Sequence, residues 1–154
     1  MYLNSRNIYQ TARRAAGLTQ EAAAERLGIS VESIRAYETG LRMPPMDVAD
    51  LMVDVYANQA LAVQHLRASA VMARELLPEV HPKRLPEAVM GLVDKIYQFA
   101  DLHRDRALIR IAQDGVIDEE ERPEYDQITR ELEGIIQAAL DLRCAQGGGD
   151  ELCR

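Results

Sequence analysis

Glycines at positions 17, 28 and 40, spaced eleven and twelve residues apart, cut the first forty residues into three short pieces, and no other feature limits the fold of this chain so tightly. The run before each glycine reads as an amphipathic helix. At Gly17 and Gly28 the left-handed backbone that glycine adopts cheaply would end that helix sharply. Thr19 and Ser30 stand two residues beyond those stops, where a side-chain hydroxyl accepts from a backbone N–H of the next turn and starts a new helix. Ser33, and not an acid or amide, lies three residues after Ser30, so the cap is a simple hydroxyl and not a capping box. Between the caps, Gln20 to Leu27 are nearly all strong helix formers.

The same punctuation sets the rest of the first domain. Asn4 or Asn7 would cap a first helix running to Ala16, and a third helix runs through Glu38 to be closed at Gly40. Pro44 and Pro45 enforce an extended entry, a fourth helix begins at Pro45 or Met46 and runs through Tyr56, and Asn58 caps a fifth that reaches Leu77. Ile8, Leu18, Leu27, Ile29, Ile34, Tyr37, Leu51 and Val55 recur at spacings that place them on a common inward face, as one small core.

Three prolines in the nine residues from Pro78 to Pro86 cannot stay helical, and the period changes beyond them. Leu85 or Pro86 to Gln113 reads as one long helix, Asp114-Gly115 as a tight turn, and Asp118 to about Arg143 as a second long helix. Tyr125, Ile128, Leu132, Ile135, Ala139 and Leu142 alternate spacings of three and four, the seam of a coiled coil or bundle. Val89, Leu92, Ile96 and Phe99 repeat that spacing on the preceding helix. The fold class is therefore all-α: an amino-terminal five-helix domain over 1–77, a proline-rich linker over 78–86, a long antiparallel helical hairpin over 87–146 that serves oligomerisation, and a flexible tail over 147–154. Seven aromatic residues in 154, with no tryptophan, and long stretches of Ala, Leu, Glu and Arg argue against a sheet architecture.

Charge separates the two parts. Against a formal net charge of −7, residues 1–43 hold six arginines and four glutamates, whereas 78–154 hold ten basic and seventeen acidic side chains. An acidic average disfavours phosphate binding, but the amino-terminal segment is locally basic. No apolar run suits a secretory leader or a membrane span, and Cys144 and Cys153 lie near the carboxy end with no ligand partners at zinc spacing. The expectation is a cytoplasmic protein with free thiols and no membrane contact.

The stretch GLTQEAAAERLGISVESIRAYETG is then a helix, a short turn and a second helix, with small Ala24 where two helices cross closely. Arg13, Gly17-Leu18-Thr19-Gln20, Ala24, Leu27-Gly28-Ile29-Ser30, Ile34, Tyr37-Glu38-Thr39-Gly40, Arg42 and Pro44-Pro45 together resemble the helix-turn-helix domain of the Xre family, the Cro and lambda-repressor type, over about residues 5–67. The resemblance implies a lambda-repressor-like domain that binds DNA. It also implies a structural, buried ion pair between Arg13 and Glu38. The second helix of such a motif offers its first residues to the major groove, so Val31, Glu32, Ser33, Arg35 and Ala36 are the candidate base-reading residues. Thr19, Gln20, Ser30, Thr39 and Arg42, at helix starts or just past the motif, are the candidate phosphate contacts. Relatives often carry glutamine or arginine at the reading head. Here Val31 and Glu32 would instead meet a thymine methyl and a cytosine amine. Ala23 stands where the motif usually has a larger aliphatic residue, which shrinks the core.

Other chemistry is not expected. Asp114 to Glu121 match the second half of a calcium loop, but Arg110 and Ala112 occupy places that need oxygen ligands. His65, His81 and His103 are scattered, and no phosphate-binding glycine loop, nucleophile elbow or Cys-His pair is present. The reading is a prokaryotic or phage-like transcriptional regulator, with no catalysis, metal or cofactor. It binds operator DNA as a homodimer or higher even oligomer through the 125–142 seam. The alternative is an antitoxin-like or anti-regulator interaction module that keeps the fold, binds DNA weakly and takes an unknown protein partner through its acidic helices.

Overall fold

The computed structural model describes residues 5–145, and among them nine helices and no β-strand are present. The chain divides into two compact units, Met1–His81 and Pro82–Arg154.

The first unit holds α1 (Ser5–Ala15), α2 (Gln20–Leu27), α3 (Val31–Thr39), α4 (Met46–Val55), α5 (Gln59–Ser69) and α6 (Val71–Leu76). The local signals act as expected. Gly17, Gly28 and Gly40 adopt positive φ. Thr19 accepts from Ala22 N, Ser30 from Ser33 N and Asn58 from Leu61 N, and Pro45 is the residue before α4. Asn7, however, lies inside α1, and Asn4 falls outside the described residues, as do Cys153 and the 147–154 tail.

The core gathers Tyr9 and Ala12 of α1, Ala23, Ala24 and Leu27 of α2, Ile34 and Tyr37 of α3, Met52, Val53 and Tyr56 around α4, and Leu61 of α5. Ile8, Leu18, Ile29 and Val55 pack against it, partly buried. Leu51 does not join: it is 49% exposed. The inward face of α4 repeats at Ala49, Met52, Val53 and Tyr56, the three-and-four spacing of a helix stripe, and leaves Leu51 on the outer side with Asp50 and Asp54. Ala23 is wholly buried where α2 crosses its neighbours. The helix expected over 58–77 breaks at Ala70, which is extended. Side-chain donors stabilise the break: Ser69 Oγ donates to Leu66 O, and Arg67 reaches across to donate to the carbonyls of Arg74 and Leu77 at the end of α6. Within the stretch read as a linker, Val80 is buried.

The second unit holds α7 (Leu85–Asp101), α8 (Arg104–Ile111) and α9 (Arg122–Arg143), with each of the three packed on the other two. The first arm of the expected hairpin is thus two helices, broken at Leu102 and His103, the latter in left-handed backbone at φ 52°. The break lets Arg104 donate through Nε and Nη2 to Glu131 of α9, each at 2.7 Å. Arg110 of α8 pairs with Glu124 of α9, and Lys83 Nζ lies 2.7 Å from the buried Asp141 carboxylate. The second long helix starts at Arg122, not Asp118. Pro123 lacks an N–H and fits only the first turn, and Asp118 instead accepts from Glu120 N and Glu121 N in the preceding turn.

Candidate nucleic-acid interface

The interface is built on α2 and α3, joined by Gly28-Ile29-Ser30. Ile29 N donates to Ala24 O and Gly28 N to Glu25 O, so the turn closes on the end of α2 and aims α3 outward from its first residue. Behind it lies a buried charge network. Arg13 of α1 grips Glu38 of α3 bidentately, Nε to Oε1 at 2.5 Å and Nη2 to Oε2 at 3.0 Å, and Arg13 Nη1 donates to Leu18 O at 2.6 Å. Burial pushes the Glu38 carboxyl up. Hydrogen bonds from Arg13 and Gln20, the Arg13 charge and a bond from Gln10 outweigh it and hold the group ionised, below the usual carboxylate range. The ion pair that the family resemblance implies is therefore present, and both partners are buried.

Of the candidate base-reading residues, Glu32 and Arg35 are exposed, Ser33 and Ala36 are half-buried, and Val31 is half-buried against the core. Ser33 is also engaged: its hydroxyl lies 3.1 Å from Ser30 Oγ and accepts from Arg42 Nη2 at 3.1 Å.

The candidate phosphate residues divide. Thr19 and Ser30 are exposed caps at the amino ends of α2 and α3. Thr39 is exposed, but its hydroxyl turns back to donate to Arg35 O at 2.7 Å. Gln20 is drawn inward, with Nε2 donating to Glu38 Oε2 at 2.9 Å and Oε1 accepting from Arg35 Nε at 3.3 Å. Arg42 folds back across α3, its guanidinium carbon 5.1 Å from the Tyr37 ring centre and Nη2 donating to Tyr37 Oη at 3.3 Å. In the sequence Tyr37 reads as a core residue and as part of the family pattern, not as a partner of Arg42. An aromatic five residues before an arginine, across a glycine turn, was the available signal for this clamp. Gln10, a further donor to Glu38 at 3.4 Å, carried no local signal.

The family model described as Helix-turn-helix matches residues 10–57, from the middle of α1 through α4 to Ala57. Residues 10–57 are a helix-turn-helix domain of the Xre type. No curated protein and no solved structure matches the chain. A helix-turn-helix domain of this type is the mark of a DNA-binding transcription regulator.

In the second unit the six seam residues take different places. Ile128 is buried, Tyr125, Leu132, Ile135 and Leu142 are half-buried, and Ala139 is exposed. In the turn before α9, Asp114 Oδ1 accepts from Val116 N, so its carboxylate serves the backbone. Among the described residues no cluster of His, Cys, Asp or Glu could hold a metal ion, and no helix is long and apolar enough to cross a membrane. Cys144 is a buried free thiol, and burial pushes its pKa up.

Proposed function

We propose that the chain is a cytoplasmic, prokaryotic or phage-like transcriptional regulator that binds operator DNA sequence-specifically as a dimer or higher even oligomer. The observation that carries this reading is the exposed edge of α3, with the α2 and α3 amino ends beside it, held on a buried Arg13–Glu38 frame. Glu32 and Arg35 reach base edges, with Val31, Ser33 and Ala36 lining the same edge. Thr19, Ser30 and Arg42 hold phosphates, Arg42 by charge and the two caps by the helix starts they close. Thr39 shapes the end of α3 beside them.

One such domain makes too few base contacts for useful specificity. Two on a two-fold axis read half-sites about 34 Å apart, or a multiple of that. We assign the pairing to the second unit. Ile128 of the seam is spent inside that unit; among its exposed apolar side chains, which also include Leu85, Val89, Leu102, Ile109 and Val116, we assign Met90, Ile96 and Tyr97 of α7, with Ile136 of α9, to a second copy.

A second reading, an interaction module with weak DNA affinity, draws on the exposed Glu32 at the front of α3 and on the acidic excess of the second unit. Selection of genomic fragments on the purified full chain at low salt separates the two. The regulator reading expects a set of fragments sharing a pseudo-palindromic motif. A failure to enrich any fragment would overturn it in favour of the interaction module.

A further inference from the structure

We infer that Gln20 is a positioning residue that aims Arg35, and through Arg35 helps to set the base preference of the DNA site. The inference rests on the DNA-binding reading and deepens it. A carboxylate only accepts, so the 2.9 Å bond to Glu38 fixes the Gln20 amide with Nε2 inward and Oε1 turned toward α3. Glu38 itself cannot drift, because two Arg13 nitrogens hold it in the core. The turned-out Oε1 accepts the Arg35 Nε–H at 3.3 Å, which ties the middle of an exposed side chain to a rigid anchor and leaves its four terminal N–H groups for an acceptor.

That donor fork matters because the rest of the α3 edge lacks one. Val31 and Ala36 have no polar atom, Glu32 only accepts, and the Ser33 hydroxyl is bonded to Ser30 and Arg42. A bidentate contact to guanine therefore falls to Arg35. Its geometry is set by residues on α1 and α2 that touch no base. The chain Arg13, Glu38, Gln20, Arg35 runs without interruption from the core to the exposed edge.

The test has one arm without DNA and one with it, both on the full chain. In ¹⁵N spectra, the Arg35 Nε–H of the wild type should exchange with water more slowly than that of the exposed Arg26, and Gln20→Met should abolish the difference. In site selection from random duplexes, Q20M should flatten the preference at the same base positions as R35A. Affinity for the best site should fall about tenfold in each variant. The double variant should be no worse than R35A alone. Equal exchange of Arg35 and Arg26 in the wild type would overturn the positioning role even if Q20M failed to fold. Weakening of all sequences by one common factor in Q20M would overturn it too, and would return Gln20 to a phosphate or purely structural role. A wild type with a slow Arg35 Nε–H that binds no duplex would overturn the DNA reading itself, while the positioning geometry would stand.

Discussion

At the scale of single residues, the least visible interaction is the most telling. Tyr9 Oη lies 2.8 Å from His65 Nδ1, joining α1 to α5 inside the core, with His65 only 2% exposed. Burial lowers the His65 pKa, against the opposing charge of Asp50, and lifts that of Tyr9 to about 12. The imidazole is therefore neutral in the fold, and its Nδ1 shares a hydrogen bond with the Tyr9 hydroxyl whose direction follows the tautomer. An unfolded chain takes up a proton on His65 near 6.5, and the fold takes it up only at lower pH. Stability from this source is complete above about 6.5 and falls as pH drops below it. Denaturant titrations from pH 7.5 to 5 should show that decline, and the double variant Y9F/H65F should lose it. An equal decline in the double variant would place its source elsewhere. The caps Thr19, Ser30 and Asn58 were legible because each acts on its own next turn. The Arg13–Glu38 pair was legible only through a family pattern. Tyr9 and His65, 56 residues apart, carried no signal at all.

Elements were legible where their ends are chemically marked and illegible where packing alone ends them. Gly17, Gly28, Gly40 and Pro45 mark their boundaries. Ala70 and His103 do not, and both interrupt stretches with helix-permitting sequence. At those points arginine side chains, Arg67 and Arg104, collect hydrogen bonds that a straight helix would forgo. The end of α4, read at Tyr56 and found there, has no glycine to close it. Ala57 adopts φ 49°, with Asn58 N donating to Val53 O and Ala57 N to Asp54 O, the doubly bonded closure in which glycine is the usual residue. A side chain in that backbone costs about 1 kcal/mol. Ala57→Gly should raise stability by ~0.5–1 kcal/mol in a denaturant titration, since the exposed methyl packs on little. A loss of stability instead would mean that the methyl makes contacts that outweigh the strain.

For the whole molecule, the all-α class and a change of character near residue 80 could be read from period and charge. The path of the second unit could not, because an apolar seam does not say whether its partner lies in the same chain. Ile128 answers for its own chain, and Met90 and Tyr97, 67% and 66% exposed, are the most exposed of the side chains assigned to a second copy. Light scattering at micromolar concentration should give at least twice 17.3 kDa, and M90E/Y97E should return the mass to a single chain while leaving the helical signal intact. A wild-type mass of one chain would contradict the pairing. The central claim is that the α2–α3 edge grips a DNA backbone. Its most direct test is the salt dependence of the full chain's affinity for its best selected duplex, read by fluorescence anisotropy. Binding should be saturable at ~50 mM salt and should weaken with a log–log slope of about −3.6 or steeper, as expected for four or more neutralised phosphates. R42A should make that slope shallower by about one unit per bound chain. No saturable binding at low salt, or an affinity indifferent to salt, would contradict the account.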